Sequence, residues 1–272
     1  MEYKHILLDI QGDTATVTLN RPEVRNAMDE QTLAELTHCF QGLGKPPRPA
    51  RTSVPRAVVL RGAGKDFCSG ADIRWMRRAA DYSAANNRKD AQRLVDAIRS
   101  IDECRLPVIG VIHGKVFGGG LGLVAACDMV VAEESTRMCF SECRLGIIPA
   151  VITHFVLPKI GMSHARRLYL SGELFGMEMA RHIGLVHEVA PEAELGAKRD
   201  FFIKNILRNG PQAMRIAKAY LRKVAALPSG SRVRFSVDTL LKARASKEGK
   251  EGFTAFLEKR PAVWVPVSEI IS

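Results

Sequence analysis

The stretch Gly114–Asp128, GKVFGGGLGLVAACD, places three consecutive glycines where a helix is about to begin and a fourth, Gly122, one turn inside it. Glycine in a helix interior costs about 1 kcal/mol relative to alanine, so something must require so bare a backbone. A helix start carries unsatisfied N–H groups and the positive end of the helix dipole. Glycine there lets a ligand oxygen approach the main chain without meeting a Cβ. A second glycine-bearing turn, CSGAD at 68–72, lies between a strand pattern and a helix pattern and offers another N–H. Two such donors aimed at one oxygen form an oxyanion hole, each donor worth roughly 3–4 kcal/mol in the transition state. The same glycines would also permit close helix–strand packing, and spacing alone leaves both readings open.

On either side of this run, short apolar strands alternate with helical patterns. KHILLDIQG (4–12) and TATVTLN (14–20) meet at Gly12-Asp13 and read as a β-hairpin. Asp29 then caps a helix whose apolar residues Leu33, Leu36 and Phe40 recur at helical spacing. GKPPRPARTSVPR (44–56) reads as an exposed, irregular loop. RAVVLRG (56–62) and LPVIGVIHG (106–114) are continuous apolar runs, expected to be strands buried on both faces. Between them lie the loop GAGKDFCSGAD (62–72), a short amphipathic stretch at 73–78 and a long polar helix near 84–102. CDMVVAEE (127–134) and RMCFSE (137–142) supply two more strands, with Phe140, Ser141 and Glu142 read as strand, and LGIIPAVITHFVLPKIG (145–161) is a loop entering a helix. Strands with intervening helices predict an α/β fold with right-handed crossovers. From about residue 192 the strand signal stops. Ala213, Ile216, Ala217, Tyr220, Leu221 and Val224 form an apolar stripe opposite Arg215, Lys218, Arg222 and Lys223, and further helices are expected near 230–245 and 247–258. The division expected is 1–191 for the α/β body and 192–272 for a helical region.

The 272 residues are 46% hydrophobic and 25% charged, which argues against disorder. The N-terminus lacks the pattern of a cleavable signal, and the apolar run 116–127 is too short to span a bilayer, so a soluble, cytoplasmic protein is expected. Six cysteines without a CxxC pair read as small core hydrophobes, and no metal site is expected. A net charge of +11 suits a polyanion of some kind. With only 6% aromatic residues and no aromatic run among the scattered cations, nucleic acid is the weaker choice of partner. GAGKD (62–66) lacks the phosphate-loop spacing, the glycines at 118–122 do not spell a dinucleotide fingerprint, and no GxSxG elbow is present.

Taken in order, LNRPEVRNAM (19–28), FCSGADI (67–73), HGKVFGGGLGLVAACD (113–128) and FSECRLGIIP (140–149) resemble the crotonase, or enoyl-CoA hydratase/isomerase, superfamily. The likeness extends to FLEKRP (256–261). It implies a spiral of ββα units with a C-terminal helical trimerisation region, assembled as a homotrimer or a hexameric dimer of trimers. It also implies oxyanion donors at Ala71 and Gly119, holding a thioester oxygen as enolate charge builds. The coenzyme A part of the substrate would lie along Arg25, Asn26 and Ala27, along Ser69, Gly70, Asp72, Ile73 and Arg74, and near Gly118. Phe256 and Lys259 would reach its nucleotide end, often from a neighbouring subunit. No prosthetic group is implied.

Glu142 matches one of the two catalytic carboxylates common in hydratases of the superfamily, whereas Gly122 stands where the other is placed. A single base can relay a proton from water to the α-carbon or shuttle one between two carbons, so hydration and double-bond isomerisation both remain open. IPAVITHFV (148–156) replaces a glycine-rich run. Together with GGGLGL it most resembles the methylglutaconyl-CoA and carboxygeranoyl-CoA hydratases of leucine and isoprenoid breakdown. A branched or dicarboxylic acyl group is therefore expected, with His154, Arg74 and Arg78 as candidate partners for a second carboxylate. A nucleic-acid-binding or scaffold protein on the same fold is the remaining alternative.

Overall fold

In the computed structural model, which describes residues 2–45 and 54–266, the chain opens on the expected hairpin. Strands β1 (Ile6–Gln11) and β2 (Thr14–Leu19) pair antiparallel from Ile6 opposite Leu19 to Gln11 opposite Thr14. Alternation sets the buried face: Ala15, Val17 and Leu19 point into the core. Helix α1 (Glu30–Gly42) follows, its first turn closed by the Asp29 carboxylate accepting the Thr32 N–H, and buries Leu33, Leu36 and Phe40 as the spacing predicts. Most of the proline- and arginine-rich loop, 46–53, lies outside the described residues.

Strand β3 (Ala57–Gly62) is buried through Leu60, as its continuous apolar run requires. Helices α2 (Ile73–Ala79) and α3 (Ala84–Asp102) lead to β4 (Val108–Ile112). Then come β5 (Lys115–Phe117), α4 (Gly119–Ala126), β6 (Met129–Glu133) and β7 (Arg137–Cys139). Helix α5 (Ala150–Ser171), broken at Gly161, α6 (Met177–His182) and β8 (Glu188–Ala190) close the α/β part. The main sheet runs β1-β2-β3-β4-β6-β8, parallel from β2 onward. Each crossover also leaves a short extended piece on a second layer, where β5 pairs with β7 and isolated bridges join Met28 to Ala71, Cys68 to Val116 and Met138 to Phe175. That second layer carries the site.

Among the described residues no strand follows β8; the chain continues as α7 (Leu195–Arg208), α8 (Pro211–Ala226), α9 (Ser229–Ala245) and α10 (Lys247–Leu257). Helix α7 buries Ile206 against Ala57, Ile109 and Val131, covering the face of the sheet turned away from α1 and α4. The basic side of α8 partly faces the protein: Lys218 Nζ reaches Asp128 Oδ2 at 2.6 Å, and Arg222 donates to the Asp102 carbonyl. Its apolar stripe stacks Tyr220 on Phe235 of α9 and leaves Leu221 exposed.

One local expectation fails. Strand β7 ends at Cys139, and Glu142 opens a 3-10 turn, Glu142–Leu145, instead of extending the strand. The cause is that β5 runs out: the Gly118 N–H makes the last bond of the pair, to the Cys139 carbonyl, before the chain turns into α4, while Arg144 N–H folds back onto Ser141. The turn aims Glu142 at Gly118.

Candidate active site

The turn Arg21–Met28 is built first. Arg25 and Asn26 both occupy left-handed backbone, at φ 55° and 54°, a conformation asparagine tolerates better than most residues. Asn26 is held there from four directions. Its N–H donates to the Arg21 carbonyl, its Oδ1 accepts the Arg21 N–H, and its Nδ2 donates to the carbonyls of Ala63 and Asp66, all at 2.8 Å. The half-buried Arg21 guanidinium then ties the turn to the neighbouring loop: it donates to the Ala27 carbonyl at 2.6 Å and pairs with Asp72 at 3.0 Å and Asp29 at 3.3 Å.

Asp72 is the N-cap of α2 and accepts the Arg74 N–H at 2.8 Å and the Trp75 N–H at 3.3 Å. Burial pushes its carboxyl up, but these amides and Arg21 outweigh burial and hold it below the ordinary aspartate value. Asn26, Ala27 and Asp72, expected along the nucleotide, are buried, and both polar side chains are spent on internal bonds. Their side chains therefore shape the loop. Ser69, Ile73 and Arg74 do reach the surface, Ile73 with 74% of its area exposed, and Arg25 is open apart from a 3.7 Å approach to Asp66.

The two glycine-bearing segments abut. At Gly70, φ 98°, an added β-carbon would lie 3.1 Å from the Phe117 carbonyl oxygen and 3.9 Å from Gly118 Cα. At Gly120 it would lie 2.8 Å from the Cys68 carbonyl oxygen. Gly118, at φ 48°, turns the chain from β5 into α4, a reversal open mainly to glycine. Among the described residues the N–H groups of Ala71 and Gly119 have no acceptor. Both belong to this contact zone, one in the bridge loop and one at the first position of a helix.

Glu142 lies against the same place. An added β-carbon on Gly118 would be 3.5 Å from Glu142 Oε1, and the buried Oε2 has no hydrogen-bond partner among the described residues. Burial pushes the Glu142 carboxyl above its ordinary value, with only its own backbone N–H opposing. A carboxylate so placed, raised above its ordinary value, can take and return a proton.

Gly122 is explained by packing. An added β-carbon would stand 2.7 Å from Ile152 Cγ2 and 2.7 Å from Ile98 Cδ1. The volume an acidic side chain would need is filled by two isoleucines, so α4 offers no second carboxylate there.

Of the candidates for a second substrate carboxylate, Arg78 pairs with Glu30 at 2.8 Å, His154 lies exposed on α5 edge-on to Phe155, and Arg74 is exposed without an ion-pair partner among the described residues. Phe256 and Lys259 stand at the end of α10, which packs on α8 and α9; Phe256 is 82% exposed, and neither residue is bonded to the motifs above. Five cysteines are buried, with the Cys68 and Cys127 thiols pushed up to about 12 by burial, and Cys143 is exposed. Among the described residues no group of three or more His, Cys, Asp or Glu side chains could hold a metal, and no helix is long and apolar enough to cross a membrane. Arg21 and Met28 are site-building residues that motif reading passes over, although both lie inside LNRPEVRNAM.

A main sheet whose crossovers feed a second layer, with a glycine turn and a helix start meeting there, is the crotonase-type α/β architecture. Residues 9–266 match the sequence profile described as enoyl-CoA hydratase/isomerase, and the chain belongs to that family. It is 28% identical to a crotonyl-CoA hydratase from Syntrophomonas wolfei over 97% of this chain and 99% of the relative. It is also 28% identical to a short-chain-enoyl-CoA hydratase from Clostridium acetobutylicum, over 96% of this chain and 97% of the relative. The solved structure of an enoyl-CoA hydratase from Shewanella pealeana superposes with a TM-score of 0.90 at 30% identity, covering 97% of each chain.

Proposed function

We propose that this protein adds water across the α,β double bond of an enoyl-CoA thioester. The observation that carries the reading is the pair of unpaired N–H groups, Ala71 and Gly119, beside one half-buried, incompletely bonded carboxylate, Glu142. The amides would hold the thioester oxygen. Glu142 takes a proton from water, the oxygen bonds to the β-carbon, and the double-bond electrons move onto the thioester oxygen as an enolate. Return of the proton from Glu142 to the α-carbon regenerates the carboxylate and the thioester. The donors are worth roughly 3–4 kcal/mol each, and general-base help about 10²–10⁴-fold.

The side chains that approach Gly119 are Met28 and, at 3.9 Å from an added β-carbon, Leu94. The acyl group is a branched or a dicarboxylic one, and for the latter Arg74 is an exposed cation without an ion-pair partner among the described residues. Arg25, Ser69, Gly70, Ile73, Arg74 and Gly118 would line the coenzyme A end. Phe256 and Lys259 would contribute from a second subunit. Helix α9 presents Val233, Val237, Leu240 and Leu241 on one face, each at least half exposed, which supports assembly as a trimer or a dimer of trimers. Val237→Asp with Leu241→Asp is expected to reduce the particle mass in light scattering; an unchanged mass removes that face from the assembly.

The isoleucine-filled volume at Gly122 favours a second reading. With one carboxylate, Glu142 could instead remove a proton from the α-carbon of a 3-enoyl ester and return it to the γ-carbon. Incubation with 2-enoyl and 3-enoyl thioesters, followed by absorbance of the conjugated thioester, separates the two. Loss of conjugation from 2-enoyl esters marks hydration, and its gain from 3-enoyl esters marks isomerisation. Turnover of neither would sink the proposed site.

A further inference from the structure

We propose that Met28 is a positioning residue that sets the spacing of the two oxyanion donors. Its backbone brackets Ala71: the Met28 N–H donates to the Gly70 carbonyl and the Met28 carbonyl accepts the Asp72 N–H, both at 2.8 Å. In such a parallel bridge the residue between the two bonds turns its own N–H and C=O away from the partner. Ala71 N–H is thereby directed out of the ladder and left without a protein acceptor. The Met28 side chain meets the other donor. Its Cε lies 2.8 Å from the position an added β-carbon on Gly119 would take, so the methyl fills the space that the bare glycine leaves. One residue, 1% exposed, thus fixes Ala71 through its main chain and rests on Gly119 through its thioether.

Two donors act together only when both lie about 2.7–3.1 Å from the developing oxyanion, and a misplacement of about 1 Å can cost 10²-fold. Met28 does no chemistry and touches no reacting atom. Its unbranched chain adapts to an irregular gap, and burial holds it in one arrangement.

This inference rests on the oxyanion reading, so the test monitors that reading separately. The wild type, Met28→Ala, Met28→Leu and Leu36→Ala are titrated with a 2,4-dienoyl-CoA, whose absorption moves to longer wavelength when its carbonyl is polarised, and are assayed for kcat and KM. Leu36 is equally buried, on α1, and controls for loss of packing. The expected result is a red shift in the wild type and in Leu36→Ala. Met28→Ala should lose most of that shift and about 10–100-fold in kcat, with KM within threefold. Met28→Leu should be intermediate, and it decides the matter if Met28→Ala does not fold. A wild-type shift and kcat in the folded Met28 variants overturn the role of Met28, as does an equal loss in Leu36→Ala. Absence of the shift in the wild type overturns the oxyanion reading itself and the inference with it.

Discussion

Asp72 and Glu142 each open a helical turn next to the contact between the 68–72 and 117–120 segments, and their surroundings push them in opposite directions. Asp72 accepts two amide N–H groups and faces Arg21, which holds its carboxyl low. Glu142 has a buried, unbonded oxygen and a carboxyl raised by burial. A carboxylate whose bonds are all made inside the protein holds a loop in place. One left short of partners keeps capacity for a substrate or a water. The difference separates scaffold from chemistry more sharply than proximity does.

Three substitutions probe this contrast, beginning with the largest expected effect. Glu142→Gln should lower turnover about 10²–10⁴-fold while binding of a CoA ester persists, measured by steady-state assay and calorimetric titration. Near-normal turnover would take Glu142 out of the mechanism. In the wild type, activity should rise with pH through a pKa above the ordinary glutamate value, because the base must be ionised; that limb should vanish from any residual activity of Glu142→Gln.

Asp72→Ala should act mainly on stability, lowering it by about 1–3 kcal/mol at neutral pH in denaturant titration. Because the folded-state pKa of Asp72 is depressed, its contribution is present above the unfolded value of about 3.8 and is lost as pH falls through the folded value. The wild type and the variant should therefore converge in acid. A constant gap across that range would show that ionisation of Asp72 is irrelevant to its role.

Gly122→Glu adds a carboxylate to α4, yet it should destabilise the fold by about 1–3 kcal/mol or more, because Ile98 and Ile152 must move. It should give no gain in hydration. A stable, faster variant would mean that the isoleucines yield easily.

The smallest effect is again at Glu142. Its folded pKa is raised, so the folded chain keeps that proton longer than the unfolded chain does, and stability falls as pH climbs from about 4.5 through the folded value. Glu142→Gln should thus melt slightly higher than the wild type at neutral pH, and the advantage should disappear below that window. A variant that melts lower at pH 7 would indicate a bonding partner for Glu142 in the folded protein.

Where neighbours along the chain decide conformation, the sequence is transparent. The β1–β2 hairpin follows from alternation, and α3 begins and ends at the residues its polar helical pattern marks. The run 137–142 was open to error for a tertiary reason. Phe140–Glu142 carry strand-like residues, but β5 turns into α4 at Gly118, so no further β5 residue is left to pair with and the chain turns. Motif order likewise reveals that residues 25–27 and 69–74 build one site, yet it does not distinguish side chains that face a ligand from those that support the loop. Asn26 and Asp72 fall in the second group because their partners, Ala63, Asp66 and Arg21, come from other segments.

By itself, the sequence determined the α/β class, the helical C-terminal region and the glycine-rich helix start with Gly122 one turn inside it. Only the folded chain decided that the 68–70 and 117–120 segments touch, that Glu142 is left short of partners beside them, and that two isoleucines fill the volume next to Gly122. The physical reason is range. Strand and helix patterns depend on residues a few positions apart, whereas convergence, desolvation and filled volume are made by side chains and amides that meet only once the crossovers have brought them together.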